Sequence, residues 1–234
     1  WRGGVAIGDQ IVDMAAALKA GVFPDAAQAA AEAAAEPTLN HLMGLGPKPL
    51  SHLRKALSKA LQTGSTQESA LKSCLVAQAQ AEYSLPCRIG DYTDFYTSVH
   101  HATNIGKQFR PDNPLLPNYK WVPIGYHGRS SSIGLGGTVK RPQGQTRAPD
   151  AAAPGFGPCQ KLDYELEVGA FVGRANALGE PVPMDQAEDA LFGLVLLGYL
   201  SGRLIKLPVE GLAWLNFFVV YCALPAMFFR LYPA

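Results

Sequence analysis

The sequence predicts an α+β protein that is mainly β. Two short apolar segments, at 4–8 and 10–13, flank a turn at Asp9 and predict a pair of strands. The alanine-rich stretch at 25–36 predicts a helix, because alanine has the highest helix propensity. After Pro86 the chain changes to short apolar runs separated by Gly, Pro, Asn and Ser, which is typical of a β-rich domain.

The region between these two parts predicts two helices at a domain edge. Apolar residues recur there at helical spacing, with a break at Gly64 and Ser65. The pattern is formed by Leu53, Ala56, Leu57, Leu61, Leu71, Leu75 and Val76. We therefore expect a first domain at 1–84 and a β-rich domain from residue 85 onward. The segment at 141–158, rich in Pro, Gly, Ala and Gln, predicts a surface connection.

Composition argues against several classes of protein. A chain of 234 residues with 48% hydrophobic content is large enough for a sizeable core. The chain has 20 Lys and Arg residues and 19 Asp and Glu residues, so it has no excess of positive charge that would favour nucleic acid as a partner. The four cysteines are scattered without a Cys-x-x-Cys pair, so we expect free thiols in a reducing compartment. No charged-then-apolar leader is visible, so we expect no secretory signal.

An acidic segment in the second half of the chain predicts one part of a metal site. Side chains alternate between the faces of a strand, so Asp163, Glu165 and Glu167 share one face. Like charges this close repel each other, so the arrangement needs open water, shared protons or a bound cation. Carboxylate oxygens suit hard cations, namely calcium, magnesium or manganese.

The stretch at 91–96 and the two histidines that follow it predict the other part. They supply a carboxylate at Asp94, a phenol at Tyr96 and a base at His101, with His100 as the competing histidine. Singly, each residue has an ordinary explanation, since Asp after Thr usually caps a turn and a lone histidine is usually structural. Together with the acidic strand, they predict a metal site divided along the sequence.

Two more residues are candidates for substrate contact. Arg110 could hold a substrate carboxylate through its planar guanidinium group, although a surface arginine is the simpler interpretation. Tyr126 and His127 lie between two glycines in a turn-like setting that can aim a side chain into a cleft, and loop packing explains them nearly as well. Spacing alone thus predicts a metal-assisted hydrolase or lyase with a histidine base.

Several ordered segments resemble the fumarylacetoacetate hydrolase family. They are GVAIGDQ at 4–10, PTLN at 37–40, MGLG at 43–46, IGDYTDFY at 89–96, HATN at 101–104, GYHGR at 125–129, LDYELE at 162–167 and LGEP at 178–181. The resemblance covers residues 1 to about 198. It implies a small SH3-like N-terminal domain at 1–84, part of a β-roll catalytic domain at 85–198, and a cytoplasmic homodimer.

The resemblance also implies residue roles. It matches Asp94, Glu165 and Glu167 to carboxylates that bind Ca²⁺ or Mg²⁺, His101 to the general base, and Tyr96 and Arg110 to substrate contacts, with Tyr126 expected to line the same pocket. The implied reaction is hydrolysis of the diketo acid fumarylacetoacetate to fumarate and acetoacetate, the last step of tyrosine degradation. Its carbon leaving group departs as an enolate, whose charge a Lewis-acid cation spreads. The base must be neutral to accept a proton, so activity is expected to fall in acid.

The matching pattern stops near residue 198. The family continues with NDWSARD, whose first aspartate completes the cation site, whereas this chain reads GYLSGRL at 198–204. Tyr199 therefore stands at the carboxylate position, and a phenol is a poor replacement for an anionic ligand. We predict weak or no turnover for this chain.

The tail at 199–234 diverges and is apolar. No charged residue occurs at 212–229, a length close to the roughly 17–25 residues that span a bilayer. Three explanations compete: out-of-family sequence from a misread gene or retained intron, a membrane anchor, and an apolar replacement core segment. We favour the first, because Asn216 and Pro225 interrupt the apolar run. The alternatives to an enzyme are an inactive homologue acting as a binding or dimerisation module, and a tail-anchored membrane protein.

Overall fold

Helices and strands both contribute to the structure, which confirms the predicted α+β class. The computed structural model describes residues 1–136, 141–146, 150–159, 163–201 and 226–231. Side chains are described over the same ranges except at 145–146, 163–165, 196–201 and 226–231. The chain divides into two compact units, Arg88–Gly134 and the combination of Trp1–Cys87 with Leu135–Ala234.

An antiparallel five-stranded sheet organises the larger unit. Its strands are β1 (Arg2–Ile7), β2 (Gln10–Asp13), β3 (Leu75–Ala77), β4 (Ala81–Tyr83) and β11 (Ala226–Leu231), in the order β3-β2-β1-β11-β4. The predicted pair of strands at the start of the chain is therefore confirmed. Gly8 provides the positive φ of 57° that the turn between them uses.

Four helices follow the first hairpin. They are α1 (Met14–Lys19), α2 (Asp25–Ala34), α3 (Asn40–Gly44) and α4 (Pro47–Ala60). The alanine-rich segment forms α2 as predicted, and its buried alanines face α4, where Leu53 and Leu57 are also buried. The helix lies so close to β1 that a Cβ atom on Gly3 would overlap the carbonyl oxygen of Ala34. Small side chains on both elements therefore permit the approach.

The second predicted helix is shorter than the helical spacing indicates. Helix α5 covers only Glu68–Lys72, and Leu75 and Val76 lie in β3 instead. These two residues pair with Val12 and Ile11 of β2, both fully buried. Pairing with a buried strand outweighs a weak local preference for helix.

The smaller unit combines a two-stranded sheet with one long helix. Strands β5 (Thr93–Tyr96) and β6 (Ile124–His127) are antiparallel, and α6 (Val99–Phe109) lies between them in the sequence. The β-rich expectation for this region missed α6. Its buried residues are Ala102 and Gly106, which are too small to show a strong apolar period.

The rest of the larger unit is built from two further pairs of strands. Strands β7 (Gln143–Thr146) and β8 (Gly155–Pro158) form an antiparallel pair within the segment predicted to be a surface connection. The acidic segment forms the long strand β9 (Asp163–Val172), as predicted. It pairs with β10 (Leu191–Ser201), which follows the short helix α7 (Ala187–Ala190).

The apolar tail is described only in part. Residues 226–229 belong to β11, which pairs with β1 and β4, and 212–225 lie outside the described residues. Within the ranges that the structure describes, no helix combines the length and apolar character needed to cross a membrane.

The structure describes three of the four cysteines that were predicted to be free thiols. Cys74 and Cys87 are buried free thiols, and Cys159 is likewise in no disulfide with a described cysteine. Burial raises the pKa of the Cys87 thiol, because the thiolate would lose its hydration. The prediction is confirmed for these three, while Cys222 lies outside the described residues.

Asp13 connects the five-stranded sheet to the first helix and is itself buried. Its Oδ1 accepts hydrogen bonds from the backbone N–H groups of Ala15 at 3.0 Å and Ala16 at 3.1 Å, which caps α1. Its Oδ2 lies 3.0 Å from Nε of Arg2, and its own N–H donates to the carbonyl oxygen of Cys74 at 2.9 Å. Asp13 thus bonds to groups in α1, in β1 and at Cys74 just before β3.

Replacing Asp13 should destabilise the larger unit. We expect Asp13→Ala to lower the free energy of unfolding by about 1–3 kcal/mol, because it removes the helix cap and leaves two partly buried N–H groups without their acceptor. Asp13→Asn keeps an acceptor oxygen for the cap and should cost less. Urea denaturation of the three proteins measures the difference, and equal midpoints for Asp13→Ala and the parent would contradict it.

Candidate functional site

The pairing of β5 with β6 brings three predicted site residues to one face of the sheet. Asp94 lies directly opposite Tyr126, and Tyr96 lies opposite Ile124. Residues opposite each other in an antiparallel pair share a face, as do residues two apart in one strand. Asp94 and Tyr96 are half-buried, whereas Phe95 between them is 54% exposed. On β5, the side of the strand with Asp94 and Tyr96 is therefore the more protected one, whereas Tyr126 on β6 is 57% exposed.

His101 joins this group from the first turns of α6. The helix begins after Ser98, whose Oγ accepts a hydrogen bond from the His101 N–H at 3.3 Å. The imidazole lies edge-on to the Tyr96 ring, with ring centroids 5.1 Å apart and an interplanar angle of 77°. Among the described residues His100 makes no ring contact of this kind. The geometry thus favours His101 over His100 as the histidine of the site.

Arg110 lies at the other end of α6 and also comes close to Tyr96. Both residues line a cavity of about 60 Å³, whose remaining walls are largely apolar. The Arg110 backbone N–H donates to the carbonyl oxygen of Gly106 at 2.7 Å, and its guanidinium Nη2 donates to that of Pro114 at 3.4 Å. The long contact and the exposed side chain leave the guanidinium accessible to an anionic group.

Gly106 lets the loop after α6 close against the helix. It is buried, and a Cβ atom there would overlap the carbonyl oxygen of Pro114. Gly106, Arg110 and Pro114 all line the cavity. The absence of a side chain at Gly106 therefore sets the position of the loop that forms one cavity wall.

Tyr119 is part of this group and was missed by the sequence analysis. Its hydroxyl donates a 2.7 Å hydrogen bond to the backbone carbonyl oxygen of Tyr96, and its ring lies edge-on to the Tyr96 ring at 6.4 Å. It is buried, although it lies in a loop with Lys120 and Trp121, which are both exposed. No motif or spacing marks it, because its partner is 23 residues away in the sequence.

His127 belongs to the opposite face of the same two strands. It pairs with Thr93, and its Nε2 lies 3.4 Å from Oδ1 of Asp91. Both side chains are about three-quarters exposed, so this contact contributes little. The GYHGR segment thus contributes Tyr126, and not His127, to the candidate site.

The acidic residues Glu165 and Glu167 lie on β9 in the larger unit. The pairing with β10 places Tyr199 at the position opposite Glu165, and Leu197 opposite Glu167. The Glu167 side chain is half-buried, and the side chain of Glu165 lies outside those described. Tyr199, predicted to replace a ligand, therefore occupies the position on β10 nearest to Glu165.

The predicted metal ligands are divided between the two units. Asp94 belongs to Arg88–Gly134, and Glu165 and Glu167 belong to the larger unit. Among the side chains that are described, which exclude Glu165, no three of His, Cys, Asp and Glu come together as a metal-binding group. The convergence of the three carboxylates on one cation stays a prediction.

Comparison with known families identifies both parts of the chain. Residues 1–86 match the family model described as Fumarylacetoacetase N-terminal. Residues 91–218, more than half of the chain, match the model described as Fumarylacetoacetate (FAA) hydrolase C-terminal. The chain belongs to the fumarylacetoacetate hydrolase family. The second match includes Asp94, His101 and Tyr126, and it extends past residue 198, where the resemblance in motifs ends.

Individual relatives support the same assignment. A fumarylacetoacetase of Caenorhabditis elegans is 47% identical over 211 residues, which cover 87% of this chain and 50% of the relative. The fumarylacetoacetase of Homo sapiens is 42% identical over 211 residues, with 88% and 50% covered. That of Oryza sativa subsp. japonica is also 42% identical, with 88% and 49% covered. The chain spans about half the length of the curated relatives it matches.

Adding a side chain at Gly106 should disturb the cavity wall. We expect Gly106→Ala to lower the free energy of unfolding by about 1–3 kcal/mol, because the overlap with Pro114 outweighs the higher helix propensity of alanine. Gly44→Ala is the matched control, since Gly44 is also helical and a Cβ atom there meets nothing within 4 Å. Chemical denaturation should show a loss for the first variant alone, and equal behaviour of the two would contradict the close approach.

Proposed function

We propose that the reaction of this protein is the hydrolysis of fumarylacetoacetate to fumarate and acetoacetate by breaking a carbon–carbon bond, with weak turnover because Tyr199 stands at the position of a carboxylate ligand. The observation that carries the proposal is the grouping of five predicted site residues in one unit. Asp94, Tyr96 and Tyr126 share a face, His101 contacts Tyr96, and Arg110 lines the cavity beside Tyr96. The names of the relatives, all fumarylacetoacetases, support the same reaction.

We assign Asp94, Glu165 and Glu167 to a divalent cation, Ca²⁺ or Mg²⁺. The donor chemistry fits, because all three residues offer carboxylate oxygens, which hard cations prefer. Asp94 and Glu167 are also half-buried, where a nearby positive charge offsets the loss of hydration. When bound, such a cation supplies Lewis-acid stabilisation of negative charge on the diketone oxygens.

The remaining residues carry out binding and proton transfer. Arg110 binds a carboxylate of the substrate, and Tyr126 offers a phenol hydroxyl from the same face as Asp94. His101 takes a proton from the water that attacks the carbonyl carbon. The bond between that carbon and its neighbour then breaks, the electron pair leaves with the carbon as an enolate, and the protonated His101 can return the proton to it.

The contact with Tyr96 has a defined part in this scheme. His101 is exposed on the helix surface, so its imidazole would be free to adopt several rotamers without a neighbour. The edge-on packing against Tyr96, a residue on the same face as Asp94 and Tyr126, restricts the rotation of the His101 ring. A base held in position removes a proton more effectively than a mobile one.

We further propose the domain organisation and setting that the family resemblance implies. Residues 1–84 form an SH3-like domain, for which the antiparallel sheet of short strands gives support. Residues 85–198 form part of a β-roll catalytic domain, followed by the divergent stretch at 199–234. The protein acts as a cytoplasmic homodimer on a small diketo acid.

Substitution of His101 tests the reaction directly. We expect His101→Asn to reduce turnover by about 10²–10⁴-fold, because the base is lost, while His100→Asn keeps activity near the parent level. The assay follows the loss of diketone absorbance with Ca²⁺ or Mg²⁺ present. Equal losses in the two variants would contradict the role given to His101. No consumption of the diketone by the parent protein would favour the alternative of an inactive binding module.

Cation binding can be measured whether or not the chain turns over. We expect calorimetric titration with Ca²⁺ to show affinity lowered by roughly tenfold or more in Asp94→Asn and Glu167→Gln, because each loses an anionic ligand. Asp185→Asn removes the same charge at an exposed position and should bind like the parent. Tyr199→Asp should bind more tightly, since it adds a carboxylate opposite Glu165. Indistinguishable affinities in all five proteins would refute the divided site.

A further inference from the structure

We infer, on the basis of the proposed function, that Tyr119 is a positioning residue that holds Tyr96 and, through Tyr96, the imidazole of His101. Among the described hydrogen bonds and ring contacts, Tyr119 is joined to Tyr96 and not to His101 or Asp94. Its effect on the reaction is therefore indirect and is exerted by two separate contacts with Tyr96.

The first contact fixes the backbone at the end of β5. The Tyr119 hydroxyl donates a 2.7 Å hydrogen bond to the carbonyl oxygen of Tyr96, the last residue of the strand. Two residues later Ser98 caps α6 and binds the His101 N–H. The hydrogen bond from Tyr119 thus anchors the short connection that sets where the helix carrying His101 begins.

The second contact fixes the ring of Tyr96. Its two aromatic neighbours lie edge-on, Tyr119 at 6.4 Å with an interplanar angle of 85° and His101 at 5.1 Å with an angle of 77°. Edge-to-face packing is directional, so each neighbour limits the rotation of the ring between them. Tyr119, Tyr96 and His101 form a row in which the buried member is Tyr119.

The loop that carries Tyr119 is arranged to bury this one side chain. Turn hydrogen bonds connect the Tyr119 N–H to the Leu116 carbonyl oxygen at 3.0 Å and the Trp121 N–H to that of Asn118 at 2.9 Å. Trp121 is 86% exposed and Val122 is 70% exposed, whereas Tyr119 is 5% exposed. Burial of Trp121 would remove more apolar surface from water than burial of Tyr119. That Tyr119 is the buried residue is explained by its hydrogen bond and ring contact with Tyr96.

The test removes the hydroxyl and keeps the ring. In Tyr119→Phe, nuclear Overhauser contacts between the Tyr96 and His101 rings should weaken relative to the parent, and kcat should fall roughly fivefold to tenfold with a smaller change in KM. That size corresponds to one lost hydrogen bond acting on the position of the base. Tyr83→Phe is the matched control, because Tyr83 also donates a partly buried hydrogen bond, to Gln78 at 3.2 Å, in the other unit. It should change stability without changing the ring contacts.

Each outcome decides the inference. Unchanged Tyr96–His101 contacts in Tyr119→Phe, or an equal loss in Tyr83→Phe, would overturn it. If Tyr119→Phe does not fold, the test is the set of nuclear Overhauser contacts among the rings of Tyr119, Tyr96 and His101 in the parent protein. Absence of these contacts overturns the inference, and their presence supports it. If the parent does not cleave the diketone, the proposed function fails while the ring contacts still test the role of Tyr119.

Discussion

The register between β5 and β6 is the constraint on which the candidate site depends. A slip of one residue would move Tyr126 to the face that now carries His127 and would separate it from Asp94. Two glycines of β6 and its flank hold this register. A Cβ atom on Gly125 would lie 3.0 Å from the ring of Phe95, and one on Gly128 would overlap the ring of Tyr92. The ring of Phe95 on β5 and the ring of Tyr92 just before it therefore lie over two positions of the opposite segment that have no side chain.

The same glycines show how much of the site the sequence predicts. Their spacing indicated a turn that presents Tyr126 and His127 together, whereas the structure has a strand that separates them onto two faces. Asp94, Tyr96 and His101 could be named from a short segment because they lie within one strand-to-helix unit. Tyr119 could not, since its contribution comes from a hydrogen bond across 23 residues and from burial, and neither leaves a local pattern.

The helix predictions were right where local propensity determines the structure and wrong where contacts with other parts of the chain determine it. Alanine propensity was enough for α2, but the helical spacing at Leu75 and Val76 was overridden by pairing with buried residues of β2. Helix α6 was missed because its buried positions are Ala102 and Gly106. Small residues weaken the apolar period, and they also permit the close approach that forms the cavity beside Arg110. The feature that hides the helix from sequence analysis is therefore the one that shapes the site.

The acidic segment was correctly predicted to be a strand. Whether it can bind a cation depends also on the residues of its partner strand, β10. Residues directly opposite each other in an antiparallel pair have Cβ atoms about 4.5–5.5 Å apart, closer than any other position on that partner. Tyr199 holds this position against Glu165 and Leu197 holds it against Glu167, so β10 offers no carboxylate at either place. Two acidic side chains with no anionic neighbour across the pair give a cation too little negative charge to bind it tightly. A cation held by this acidic strand would therefore need a further anionic ligand from outside this pair of strands.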